Sequence, residues 1–88
     1  MKMIWKYDVS SAGHFDIDLP KGAVVRCVAV QFGKPKIWVE FDTKELVNEV
    51  RFFELYGTGQ TISDVPKKYV GMFQLQAGAL VFHLYEVI

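Results

Sequence analysis

The chain has 88 residues, 51% of them hydrophobic, and its ten basic residues balance ten acidic ones. That length holds one core and no second, so residues 1–88 are read as a single domain. Zero net charge argues against a duplex-DNA binder, which carries a basic stripe, and no stretch approaches the ~20 apolar residues that span a bilayer as a helix.

Short runs rich in β-branched and aromatic residues alternate with turn chemistry about every ten residues, the pattern of an all-β chain. The first strand runs from Met3 to Val9 and ends at Ser10-Ser11-Ala12-Gly13. The second, His14 to Leu19, alternates: Phe15, Ile17 and Leu19 point one way, Asp16 and Asp18 the other. Pro20-Lys21-Gly22 turns the chain. Ala23 to Phe32 is apolar on both faces apart from Arg26 and Gln31, which predicts a central strand covered on two sides. Gly33-Lys34-Pro35-Lys36 connects it to Ile37–Phe41 as a hairpin, with Ile37, Val39 and Phe41 on one face and Trp38 and Glu40 on the other.

Asp42 to Glu49 is the one candidate helix, capped by Asp42 or Thr43 with Glu45 in its first turn. Two turns are marginal, so an irregular loop is the alternative. Val50 to Tyr56 is the fifth strand, followed by Gly57-Thr58-Gly59 and a polar loop. Lys68–Leu75 and Ala79–Val87 flank Gln76-Ala77-Gly78 as a second hairpin. The expected architecture is all-β or β-dominated: a small sandwich or partly open barrel of about seven strands with at most one short helix. Phe15, Ile17, Val28, Val30, Val39, Phe52, Phe73, Leu80 and Phe82 are its expected core.

Cys27 is the only cysteine, so no intrachain disulfide and no thiolate metal cluster can form. Within an apolar strand it reads as a buried, inert thiol. A reducing cytoplasm is the expected compartment, since Met1-Lys2-Met3-Ile4-Trp5-Lys6 lacks the apolar core of a signal peptide. The thirteen aromatic residues exceed what so small a core absorbs, which predicts a homo-oligomer, most simply a two-fold dimer.

Candidate site residues cluster in the second half of the chain. Gly57-Thr58-Gly59 offers main-chain donors for a phosphate or a base edge, or it is simply a turn; it is neither a P-loop nor a dinucleotide fingerprint. His83 stands alone in an apolar strand and needs a partner to act as base, or further ligands to hold a metal. A structural imidazole or a binding-site donor is the reading preferred for it. Gln31 and Trp38 offer an amide and a stacking ring, or alternatively a hairpin cap and an interface residue. Arg51 and Tyr56 complete the set as phosphate contact and stacking ring. Neither a catalytic constellation nor a cofactor fingerprint is present.

The words Leu19-Pro20-Lys21-Gly22-Ala23, Gln31-Phe32-Gly33-Lys34-Pro35, Trp38, Asp42, Tyr56-Gly57-Thr58-Gly59, Tyr69-Val70-Gly71-Met72-Phe73-Gln74 and Leu80-Val81-Phe82-His83 run in order over almost the whole chain. Together they resemble a family of small phage- and prophage-encoded proteins with no assigned activity. The resemblance implies a compact β-rich domain acting in a bacterial cytoplasm. In that setting the expected function is non-enzymatic binding, as a counter-defence protein sequestering a nucleotide-like signal. The alternative is a virion-accessory or host-protein-inhibiting interaction protein with no small-molecule pocket.

Overall fold

Alternation with period two turns one face of each strand inward, and here it generates two facing antiparallel sheets. The computed structural model describes residues 1–88 as seven strands and no helix. These are β1 (Lys2–Asp8), β2 (His14–Pro20), β3 (Val24–Gln31), β4 (Lys34–Asp42), β5 (Asn48–Gly57), β6 (Lys67–Leu75) and β7 (Leu80–Val87). Sheet A has the order β1-β4-β3 and sheet B the order β2-β5-β7-β6. The fold is a small open β sandwich, as the strand pattern predicts, and it does not close into a barrel.

One core of eleven residues fills the space between the sheets. Ile37 and Val39 of β4, Leu19 of β2, Phe53 of β5 and Leu84 of β7 are its fully buried members. Gly71 of β6 lies so close to β3 that a Cβ there would meet Val28 Cγ1 at 3.1 Å. A side chain at that position would require Val28 to shift by a few tenths of an ångström. Both strands carry a register shift at this approach, β3 between Val25 and Cys27 and β6 between Tyr69 and Gly71.

Several expectations need correction. β3 is an edge strand, not a central one, because β1 takes the other side of β4; no layer covers the outer face of sheet A, where Val24 and Cys27 are exposed, and Val30 is exposed as well. Of the expected core, Val28, Val39 and Phe73 are buried, and Phe15, Ile17 and Phe82 pack half-buried against it. Val30, Phe52 and Leu80 are exposed. Phe52 and Phe53 are adjacent, and a strand offers only one of two neighbours to the interior. Phe53, level with Phe15 and stacked on it at 5.4 Å, takes the inner place and leaves Phe52 55% exposed.

The segment after Asp42 is a turn and loop. The Asp42 carboxylate accepts the Lys44 N–H at 2.9 Å and its carbonyl accepts that of Glu45 at 3.0 Å, after which the chain enters β5. The capping residue therefore closes a local turn that no helix continues. The β3–β4 hairpin forms as expected, with its tip at Phe32-Gly33, so that β4 already begins at Lys34. Phe32 holds a left-handed φ of 52° and is 93% exposed.

Phe53→Ala should destabilise the protein by about 3–5 kcal/mol, the range for removing a buried ring, whereas Phe52→Ala should cost less than ~1 kcal/mol. Urea unfolding of the two variants separates them, and equal losses would contradict the inward assignment of Phe53.

Candidate functional site

The registers of sheet B decide which side chains share its outer face. Tyr56 of β5 stands opposite His83 of β7, which stands opposite Met72 of β6. One step along, Glu54 faces Tyr85, and Tyr85 faces Tyr69. Directly opposed residues project to the same side, so these side chains form one contiguous surface. The Tyr85 ring meets the edges of Tyr56 at 6.0 Å and Tyr69 at 5.1 Å.

His83 is the centre of the polar contacts on this surface. Its Nε2 lies 2.9 Å from Thr58 Oγ1 and its Nδ1 lies 2.8 Å from Tyr69 Oη. Both ring nitrogens are thus engaged by hydroxyls, each of which can donate or accept. A catalytic base needs one nitrogen directed at substrate and an orienting partner on the other. Here a hydroxyl is within reach of Nε2, but the orienting group is a phenol rather than a carboxylate. The geometry matches a hydrogen-bonded positioning imidazole.

Gly57-Thr58-Gly59-Gln60 is a tight turn closed by the Gln60 N–H donating to the Gly57 carbonyl at 3.1 Å. Gly59, at φ 94°, occupies the third position, which requires positive φ in a type II turn. The N–H of Gly57 donates to the Gln60 side chain and that of Thr58 to the Val81 carbonyl. Three of the four main-chain donors in the turn are therefore already committed within the chain. A phosphate cradle of several free N–H groups, the arrangement expected from the glycine spacing, is not what this turn offers.

A notch of about 240 Å³ lies beside the turn, lined by Tyr56, Gly57, Thr58, Gly59, Gln60, Ile62, His83 and Tyr85. Five of the eight residues expected at a site meet here: Tyr56, Gly57, Thr58, Gly59 and His83. The other three do not. Trp38 is on the outer face of sheet A opposite Lys6 and Cys27, and Gln31 at the end of β3 receives the Lys6 ammonium at 2.6 Å. Arg51 faces the interior, opposite Ile17, and donates to Glu86 at 2.6 Å, to the Ala23 carbonyl at 2.9 Å and to Glu49 at 3.0 Å. It serves the fold, and its charge is spent there.

Residues that sequence reasoning missed hold the surface in shape. Glu54 accepts Tyr56 Oη at 2.9 Å and Ser63 Oγ at 3.1 Å, and pairs with the Lys67 ammonium at 3.0 Å. Lys67 also donates to the Ser63 carbonyl at 2.6 Å, which fastens the loop after the turn against the outer face. Burial tends to raise the Glu54 pKa, but the hydrogen bonds from Lys67, Tyr56 and Ser63 together hold it below the ordinary glutamate value. The sequence signal was a glutamate in the apolar run Val50–Tyr56, whose polar side chain needs partners once covered.

A wider concavity, about 500 Å³, continues the outer face toward β2 and is lined by His14, Phe15, Asp16, Phe52, Phe53, Glu54 and Val87. Glu54 stands between it and the notch. A separate apolar opening of about 290 Å³ enters the end of the sandwich among Val9, Leu55, Phe73, Leu75, Leu80 and Phe82.

A family model described as a domain of unknown function, DUF7352, matches residues 1–88. No curated protein and no solved structure matches the chain.

Because the folded-state pKa of Glu54 is lowered, its contribution to stability is full above the pKa of the unfolded chain. That contribution is lost as pH falls through the lower folded value. Glu54→Gln should therefore be less stable than wild type at neutral pH, with the difference shrinking toward acid. Urea midpoints measured across the acid range check this, and a pH-independent difference would contradict it.

Proposed function

We propose that this chain, which belongs over its whole length to DUF7352, a domain family of unknown function, is a non-enzymatic binding protein that engages a partner protein through the outer face of sheet B. The observation that carries this reading is the exposed ring of Phe52, which lines the wider concavity on the same pre-ordered strand face as the notch. Val50, Tyr69 and Met72 extend the exposed apolar surface on either side. Aromatic residues and methionine are the side chains enriched in protein interfaces. The Glu54 and His83 hydrogen bonds hold the tyrosines in place before any partner arrives, which lowers the ordering cost of binding. In the phage setting implied by the family resemblance, the partner is a host protein of the bacterial cytoplasm, and binding inhibits it.

Size and charge weigh against a whole nucleotide as the main ligand. Small-molecule sites usually enclose ~300–1,000 Å³, whereas the notch offers about 240 Å³ and opens to solvent. The committed N–H groups of the turn and the inward-facing Arg51 leave phosphates without a built-in receptor. A second reading keeps the nucleotide-like signal and rests on the notch alone. There a single planar ring meets Tyr56 and Tyr85 while its edge reaches Gln60, Thr58 and His83. In that reading sequestration, as counter-defence, depends on the base and the phosphates remain outside.

Tagged protein recovered from bacterial cells and weighed by native mass spectrometry, alongside Phe52→Asp and Tyr56→Ala, tests both readings. The expected result is a protein partner at fixed stoichiometry whose affinity falls at least about tenfold, ~1.4 kcal/mol, in Phe52→Asp. A nucleotide-sized adduct lost in Tyr56→Ala favours the second reading. A partner retained equally by both folded variants would overturn the assignment to this face.

A further inference from the structure

Each sheet has two edges, and the four differ in what they offer a second chain. β3 and β6 have register shifts where they approach each other. β2 carries Asp16 and Asp18 along its edge and ends at Pro20, which has no N–H. β1 has no register shift and no proline in its seven residues, Lys2–Asp8, and its charges, Lys2, Lys6 and Asp8, are of both signs, so a second copy can meet them with opposite charge. Its Ile4 and Trp5 are 54% and 58% exposed, and Met3 is exposed beside them. We infer that β1 is a self-association edge, through which two copies pair antiparallel about a two-fold axis at Trp5 and join their three-stranded sheets into one.

The hydrogen-bond parity of β1 fixes which residues can pair. Thr43 N–H donates to the Met1 carbonyl at 2.8 Å and Val9 N–H to the Pro35 carbonyl at 3.2 Å, at the two ends of one β1–β4 ladder. Bonding residues alternate in an antiparallel ladder, so Met3, Trp5 and Tyr7 turn their main chain toward β4. Lys2, Ile4, Lys6 and Asp8 turn their N–H and C=O groups to the open edge. In a two-fold pairing these four must oppose one another.

Charge then selects one register. With Trp5 opposite the partner's Trp5, Lys2 faces the partner's Asp8 and Ile4 faces the partner's Lys6, while Met3 and Tyr7 oppose each other on the side of the ring pair. Shifted one way, Lys2 meets the partner's Lys6; shifted the other way, Lys6 meets the partner's Lys6. Like charges directly opposed destabilise a pair and unlike ones stabilise it. The chosen register has opposite charges at both ends, apolar Met3, Trp5 and Tyr7 pairs on one side, and no like charges directly opposed. It satisfies the open row of main-chain groups and covers Trp5, Ile4 and Met3. The outer faces of sheet B remain free, one on each copy.

The Trp5 pair is a non-hydrogen-bonded one, for which Cα atoms sit ~4.5 Å apart, within the ~4.4–6.8 Å that a disulfide spans. The test uses a Cys27→Ser background, so that introduced cysteines report alone. Trp5→Cys should form a covalent dimer under mild oxidation, whereas Ile4→Cys, with Lys6 opposite, should not. Wild type at tens of micromolar should sediment as a dimer, and Ile4→Lys, which sets lysine against Lys6 at two places, should weaken it at least about tenfold. Sedimentation of wild type as a 10.1 kDa monomer would overturn the inference. So would a dimer unaffected by Ile4→Lys, or cross-linking of Ile4→Cys as fast as Trp5→Cys.

Discussion

The inward-facing ion pair of Arg51 and Glu86 is the interaction on which the sandwich depends. Arg51 rises from β5 into the space between the sheets and meets Glu86 of β7, which is 7% exposed. The same guanidinium holds the Ala23 carbonyl and Glu49, while Glu49 accepts the Gly22 N–H at 3.2 Å. The turn from β2 to β3, where the chain crosses from sheet B to sheet A, is thereby tied to the two central strands of sheet B. Removing one member of such a pair strands its partner in the interior, typically at ~3–5 kcal/mol. Leu19, Phe53 and Leu84 take the inner positions on the same side of sheet B as this clasp, and period-two alternation settles the parity of their strands.

Settled parity also determines what remains outside. On sheet B, the neighbours of the buried residues include Tyr56, Tyr85 and His83, which form one surface with Tyr69, and Phe52, which lies on the same face beyond Glu54. On sheet A, β1 projects beyond the cover of sheet B and leaves Trp5 half-bare. Two surfaces of different character result, one a face and the other an edge. A pair of chains joined at the edge presents the face twice, and a bivalent display raises apparent affinity for a clustered partner without any new contact.

Much of this was legible in the residues, and the reasons for the rest are physical. Alternation in His14–Leu19 and Ile37–Phe41 showed the inner positions, because each strand has one covered face and a strict period. Phe52-Phe53 was opaque, since two adjacent identical residues give alternation no phase. Ala23–Phe32 looked central because both faces are largely apolar, yet strand order is a long-range property that a local window does not contain. At the site, the glycines of 57–59 and His83 were visible as residue types, and Thr58 and Tyr69 became partners of His83 only through the pairing of β5, β7 and β6. The inward place of Arg51 is hidden for the same reason: its partner Glu86 is distant in sequence.

The claim that β1 is an edge made for a second copy of this chain decides how many copies of the sheet B face a partner meets. Residue-resolved amide hydrogen exchange tests it most directly, because the two parities of β1 report separately. In the isolated chain, Met3, Trp5 and Tyr7 are bonded to β4 while the N–H groups of Ile4, Lys6 and Asp8 face solvent. The expected result is protection at Ile4, Lys6 and Asp8 that appears with rising protein concentration, with Met3, Trp5 and Tyr7 protected throughout. Rapid exchange of Ile4, Lys6 and Asp8 at every concentration would contradict it and leave β1 an ordinary solvated edge.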